Sequence, residues 1–389
     1  MRVLVALTYY RPHTSGLTIY AERLARSLAA RGHSVTVLTS RFDPSLPLRE
    51  EREGVTIVRV PVAFRVSKGV IMPTFGFVAN RLVKGHDVLS LHLPQLDASG
   101  LALRGRLFGK PVVVTYHCDL TLPATPFNHL VNRVVVWSDR ATGTLSDAIV
   151  AYTDDYAKHS RFLSRYLDKV RVIPPPVEVA TPRPGDLEAF RARWNPGNAP
   201  VIGMAARLAT EKGVEVLLEA LPAVHARFPH AHVLFAGQHE NVLGEDAYRQ
   251  RLRPLLEREG ARWSFLGVLD PYEMSLFFSA LDVLVVPSLN STESFGLVQV
   301  EAMLRGTPSI ASDLPGVRQP VRMTGMGEVS PIGDSAALAE SLVRILSNRA
   351  SYVRPVSEIE ALFSSARTAG QYERLFEELR SRKETGAKG

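Results

Sequence analysis

A single cysteine, Cys118, leaves this chain no internal disulfide and fits a reducing compartment. A catalytic thiol at Cys118 is the less favoured of its two readings. No apolar run reaches the ~18 residues of a membrane-spanning helix. The opening MRVLVALTYYRP is too short in its apolar part for a signal peptide and lacks a small-residue cleavage site, so it is expected to be a strand of a cytoplasmic protein. No G-x-G-x-x-G follows that strand, which removes the dinucleotide fingerprint. His225, His230, His232 and His239 lie close in sequence, but in no zinc-ligand spacing. No basic run is interleaved with aromatics, so nucleic acid is not an expected partner.

What is present is ordinary in amount and uneven in placement. Of 389 residues, 46% are hydrophobic and 22% charged, which suits a globular protein of two domains. The net charge of +7 is concentrated in residues 1–180, with 23 Lys and Arg against 14 Asp and Glu. A basic first half points to an anionic partner there, a membrane surface or a phosphate-bearing molecule, unless the charge serves solubility alone.

Apolar strand runs alternate with helical periodicity along the chain. Strands are expected at residues 2–8, 34–40, 55–60, 88–93, 112–115, 148–152 and 170–173, with helices at 17–31, 98–108, 130–145 and 154–167. This alternation implies a mostly parallel, doubly wound sheet of Rossmann type. Prolines at 174–176, 182, 184, 196 and 200 mark a linker. Further strands follow at 201–205, 233–236, 281–287 and 309–311, with helices at 335–346 and 357–382, the last breaking near Gly370. Residues 65–84, carrying Arg65, Lys68, Arg81 and Lys84 among apolar residues, are either a membrane- or acceptor-docking element or a helix packed on the sheet.

Residues 287–308, PSLNSTESFGLVQVEAMLRGTP, are the centre of the pattern. A buried parallel strand runs into a loop holding Glu293, Ser294, Phe295 and Gly296, and a helix from Leu297 carries Glu301. Ligands of open α/β sheets bind at the carboxyl ends of strands. A helix N-terminus with a glycine lets an anion come close. Two carboxylates suit pairs of sugar hydroxyls, since each accepts several hydrogen bonds. The alternative is a helix-capping Glu293 and a solvated Glu301.

The run Glu293-Ser-Phe-Gly-Leu, with Glu301-Ala-Met eight positions on, resembles the Glu-x7-Glu signature of retaining GT-B glycosyltransferases, family 4. Arg207 and Lys212-Gly213 resemble that family's Arg-x4-Lys-Gly. The resemblance implies two Rossmann-like domains facing a cleft: residues 1–178 binding acceptor, residues 179–365 binding a nucleotide sugar, and a helix from residue 366 crossing back to the first domain, with a disordered tail. It implies that Glu293 binds donor-sugar hydroxyls, that amides at Phe295, Gly296 and Leu297 face sugar and phosphate, and that Glu301 binds the ribose diol. Arg207 and Lys212 would take the diphosphate. His117, at the end of the strand 112–115, would lie near the reacting carbon. Phe265 and its neighbours would lie along the nucleobase.

Ser15-Gly16 stands where many members carry Gly-Gly; Gly16 either still permits close approach of the donor or is a plain turn glycine. Asp119 is an acceptor-binding candidate, with a turn-forming role favoured. No Asp-x-Asp triplet occurs, so no essential metal and no tightly bound cofactor are expected. The implied reaction is hexosyl transfer from a UDP- or GDP-linked donor to a glycan, lipid-linked or other hydroxyl acceptor, in the cytoplasm or peripherally at the inner face of the cell membrane. The alternatives are an epimerase or phosphorylase of the same fold, or a nucleotide-sugar-binding protein without transfer.

Overall fold

The computed structural model describes residues 1–66, 69–119, 126–195, 197 and 199–386. The chain divides into two compact units, Met1–Pro176 with Phe363–Gly389, and Val177–Leu362.

In the first unit the strands are β1 Arg2–Ala6, β2 Ser34–Arg41, β3 Arg49–Arg52, β4 Val55–Pro61, β5 Phe64–Val66, β6 Gly69–Ile71, β7 Val88–Leu93, β8 Val112–Tyr116, β9 Ala148–Ala151 and β10 Val170–Val172. Eight of them form one sheet in the order β10-β9-β8-β7-β1-β2-β4-β3. All neighbours are parallel except β3 on β4. The interior strands are runs such as VLSLHL that are buried on both faces, as a helix-covered parallel sheet requires. The helix Gly16–Ala30 starts where the Ser15 hydroxyl accepts the Thr18 N–H at 3.2 Å, and it buries Tyr20, Leu24 and Leu28. The strand order reverses beside β1, which lies between β7 and β2.

The C-terminal helix Ser365–Gly386 belongs to this unit. Its Tyr372, Leu375, Phe376 and Leu379 are buried. The Tyr372 hydroxyl meets Tyr20 at 2.8 Å and Thr115 at 2.7 Å. Glu373 binds both Arg31 and His33.

The second unit holds β11 Val201–Ala205, β12 His232–Ala236, β13 Trp263–Gly267, β14 Val283–Val286, β15 Ser309–Ser312 and β16 Gly327–Ser330. They form one parallel sheet, β13-β12-β11-β14-β15-β16. Its order reverses between β11 and β14. Both units are therefore doubly wound and Rossmann-like.

Several expectations change. The segment 65–84 is not one helix: β5 and β6 pair as a hairpin before the helix Phe75–Gly85, and Lys68 lies outside the described residues. The linker ends early, because a helix at Asp186–Trp194 packs into the second unit through Tyr272 to Asp186 at 2.5 Å and Arg191 to the Ser279 carbonyl at 3.0 Å; Pro196 lies outside the described residues. The helix expected over 154–167 stops at His159, where the Ser160 hydroxyl turns to Asp119 at 2.9 Å. The late break falls at Ser364, between the helices Val356–Phe363 and Ser365–Gly386. Gly370 continues its helix, facing the guanidinium of Arg31, which follows the helix Gly16–Ala30.

Candidate active site

The switch point between β11 and β14 brings two distant stretches together. After β11 the chain turns through Arg207 and a short 3-10 helix, Thr210–Lys212, into Gly213. Gly213 takes φ +66°, and a Cβ there would lie 2.1 Å from the Pro287 carbonyl oxygen. Only glycine fits such a position without strain. The Leu289 N–H donates to the Glu211 carbonyl at 2.9 Å, tying the loop after β14 to the loop after β11.

On these loops the Lys212 ammonium lies 2.7 Å from Glu293 Oε2, and the Gly296 N–H donates to Glu293 Oε1 at 3.0 Å. Burial pushes the Glu293 carboxyl up, but the Lys212 charge, its hydrogen bond and the Gly296 N–H outweigh burial and hold it below its usual range. The helix Leu297–Met303 begins at Gly296, φ +76°. The buried Gln299 secures this start by donating to the carbonyls of Phe295 at 3.2 Å and Val317 at 2.8 Å. Ser294 and Phe295 are buried, while Leu297 and Glu301 are half-buried. Arg207 is exposed and pairs with Glu211 at 3.0 Å.

Lys212 and Glu293, 81 positions apart, are thus brought into contact. The amide of Gly296, expected to face sugar and phosphate, is taken by Glu293 in this structure. At the edge strand β13, the His239 ring stacks on Phe265 with centroids 4.4 Å apart.

In the first unit Gly16 opens the helix after β1. A Cβ there would meet nothing within 4 Å, so nothing in the chain itself demands glycine. His117 follows β8 and is 5% exposed. Its Nε2 lies 2.8 Å from His92 Nδ1, and its Nδ1 is hydrogen bonded to the Tyr152 hydroxyl. Asp119 accepts from Tyr116 at 2.8 Å, from Ser160 at 2.9 Å and from the Arg161 N–H at 3.4 Å. Its two oxygens hold the chain's own turn, the role favoured for it from the sequence.

Residues 186–360 match the family described as Glycosyl transferases group 1, and residues 15–176 match the Glycosyl transferase 4-like domain. The 2-deoxystreptamine N-acetyl-D-glucosaminyltransferase of Streptomyces fradiae is 30% identical, over 84% of this chain and 81% of that protein. This chain belongs to the group 1 glycosyl transferases.

The glycosyltransferase is also 29% identical to the phosphatidyl-myo-inositol mannosyltransferase of Mycobacterium leprae, over 97% of this chain and 96% of that protein. Its fold is GT-B. The Anabaena protein Alr3699/HepE, solved in complex with UDP, superposes with a TM-score of 0.75 at 19% identity, covering 97% of this chain and 100% of that one.

Sequence reasoning passed over three residues of this glycosyltransferase. Gln299 sits inside the signature helix. His92 and Tyr152 flank His117. His92 could have been found as the one ionisable side chain in the fully buried run VLSLHL.

Proposed function

We propose that this glycosyltransferase moves a hexose from a nucleoside-diphosphate sugar, UDP- or GDP-linked, to a hydroxyl of a lipid-linked or glycan acceptor, with retention and without an essential metal ion. The observation that carries the reading is the meeting of Lys212 and Glu293, 2.7 Å apart, at the switch point of the second sheet, where open α/β sheets take ligands. Glu293 accepts from the sugar hydroxyls, and Glu301 accepts from the ribose diol. Lys212 and Arg207, with the amides of Phe295 and Leu297, take the diphosphate. Cations placed there stabilise the charge that grows as the glycosidic oxygen leaves, which is the work a divalent ion would otherwise do. Gly16 leaves room for the donor, and His117 contacts the donor sugar near the reacting carbon. The bond from the anomeric carbon to the diphosphate oxygen breaks as the acceptor oxygen arrives on the same face. The acceptor proton passes to the departing phosphate.

The names of the two relatives, a mannosyl- and an N-acetylglucosaminyltransferase, support a hexose, and the first supports a lipid acceptor. So does one face of the first unit. The helices Phe75–Gly85, Ala98–Leu107 and Pro126–Leu145 contact one another in turn. Phe77, Leu107 and Trp137 on them are each at least 70% exposed. Arg81, Lys84, Arg106, Arg133 and Arg140 on the same helices are exposed. The only carboxylate on these helices, Asp139, is buried. Aromatic and aliphatic side chains among cations suit an anionic lipid surface. No helix of the described residues is long and apolar enough to cross a membrane.

The test is turnover of UDP-glucose and GDP-mannose with and without magnesium, scored by nucleoside diphosphate released and by the anomeric configuration of the product. Glu293→Ala should lower turnover by about 100-fold, the scale of losing a group that stabilises the transition state. Unchanged turnover in that variant sinks the donor-site assignment. An inverted product sinks retention.

A further inference from the structure

His92 is fully buried on β7, a strand whose other side chains are apolar apart from Ser90. Its Nδ1 is 2.8 Å from His117 Nε2, and the two rings lie stacked with centroids 5.1 Å apart. The second nitrogen of His117 is bound to the Tyr152 hydroxyl. Tyr20 closes the cage: its ring stacks on Tyr152 at 5.3 Å and sets its edge against His92 at 5.8 Å and His117 at 5.0 Å. The Tyr20 hydroxyl is held in turn by Tyr372 of the C-terminal helix at 2.8 Å.

A neutral imidazole carries one proton on its two nitrogens, so the partner of one nitrogen dictates the state of the other. Burial drives both rings neutral: it pushes His92 down to about 3, and burial followed by the neighbouring His92 takes His117 well below the usual histidine range. Tyr20 and Tyr152 face the pair, and both are buried. One proton must lie between His92 and His117, and one between His117 and Tyr152. Fixing either fixes both, and no nitrogen of His117 is left over for an acceptor proton.

We propose that His92 is a positioning residue for the transfer, holding the His117 ring in one plane and one tautomer. The inference rests on the contact of His117 with the donor sugar proposed above. It accounts for a histidine on a strand where packing alone would favour leucine or valine, and it leaves the acceptor proton to the departing phosphate.

The experiment compares the full-length wild type with His92→Phe, which keeps a ring and loses both nitrogens, and with His92→Asn, whose amide can occupy the Nδ1 position. Long-range nitrogen–proton correlation on histidine-labelled protein reads the tautomer of His117. The release of nucleoside diphosphate from UDP-glucose and GDP-mannose reads the transfer. The wild type should show His117 in a single neutral tautomer at pH 6. In His92→Phe that signature should become averaged or protonated. kcat should fall about 10- to 100-fold, by analogy with the loss of partners that orient metal-ligating histidines, with KM for the donor unchanged. His92→Asn should recover most of both. Should His92→Phe fail to fold, His92→Ala is read the same way. A single neutral His117 tautomer in His92→Phe overturns the proposal, and so does a lost tautomer with unchanged kcat. A wild type that turns over neither donor sinks the donor reading, while the correlation spectra still decide whether His92 holds His117.

Discussion

Lys212 and Glu293 are each held by more than charge. Their side chains are only 19% and 25% exposed, so water screens the pair weakly, and the Gly296 N–H adds a second donor to the carboxylate. Lys212→Met should leave Glu293 with the amide alone and cost about 1.5–3 kcal/mol, the scale of a hydrogen bond to a charged group. The pH dependence has a fixed sign. The Glu293 carboxyl lies below its unfolded value in the folded protein, so its stabilisation is complete above the unfolded pKa of roughly 4.3 and is lost as pH falls through the folded value. Urea titration at pH 7 and pH 3 should show the gap between wild type and Lys212→Met narrowing at the lower pH. A constant gap would mean that the pair contributes nothing through ionisation.

Two glycines separate packing from function on the same scale. At Gly213 a methyl would meet the Pro287 carbonyl at 2.1 Å, on a backbone of φ +66°. The left-handed conformation alone costs an alanine roughly 1–2 kcal/mol, and the clash forces the loop carrying Lys212 away from the loop carrying Glu293. Gly213→Ala should therefore lower both the melting temperature and nucleoside diphosphate affinity. At Gly16 a methyl meets nothing, so Gly16→Ala should melt like wild type and lose donor affinity alone. Equal affinity for UDP-glucose and GDP-mannose in Gly16→Ala and wild type, measured by calorimetry, would remove Gly16 from the donor site.

At the scale of elements, the helices Phe75–Gly85, Ala98–Leu107 and Pro126–Leu145 carry the membrane prediction. Leu107→Ser with Trp137→Ser removes two exposed apolar groups, which costs the fold little. Binding to phosphatidylglycerol vesicles should fall by tenfold or more, on the basis of about 1.4 kcal/mol per factor of ten. Unchanged flotation of the double variant would rule this face out.

The same scale shows what was readable beforehand. The interior strands were legible because burial on both faces demands unbroken Val, Ile and Leu. Of the edge strands, Val170–Val172 was legible, but two were not. Arg49–Arg52 is REER, and Gly327–Ser330 carries Glu328, since an edge open to water imposes no apolar pattern and charge there discourages pairing with other chains. The helix Asp186–Trp194 buries no side chain, so it showed no apolar stripe among the prolines. In the site, Lys212 and Glu293 were legible through strand ends and glycines. His92 was not, because its meaning depends on a neighbour from another strand. Sequence spacing says nothing about two adjacent parallel strands until their register is known, and here His92 pairs with Thr115, two residues before His117.

At the scale of the whole molecule, the chain order and the division into units disagree. The first unit is discontinuous: residues Met1–Pro176 are completed by Phe363–Gly389, with the second unit inserted between them. The terminal segment is part of the first unit's core. Tyr372, Leu375, Phe376 and Leu379 are each at most 5% exposed. Burying four such side chains contributes roughly 6–12 kcal/mol at about 1.5–3 kcal/mol each, as large as the whole net stability of a typical domain. Truncation after Leu362 should therefore unfold the first unit and strand the Tyr20 hydroxyl, Arg31 and His33 without the partners that Tyr372 and Glu373 supply. The second unit has no such debt. Its sheet, its core and the pair Lys212–Glu293 all fall inside Val177–Leu362. Expressed alone, that segment should melt cooperatively and gain about 2.7 kcal/mol from a nucleoside diphosphate at a hundred times its Kd, the same gain expected of the intact chain. Calorimetry of the fragment with UDP and GDP decides this. A fragment that folds but binds neither would mean that the diphosphate site needs residues from the first unit, and that Lys212 and Glu293 alone do not make it.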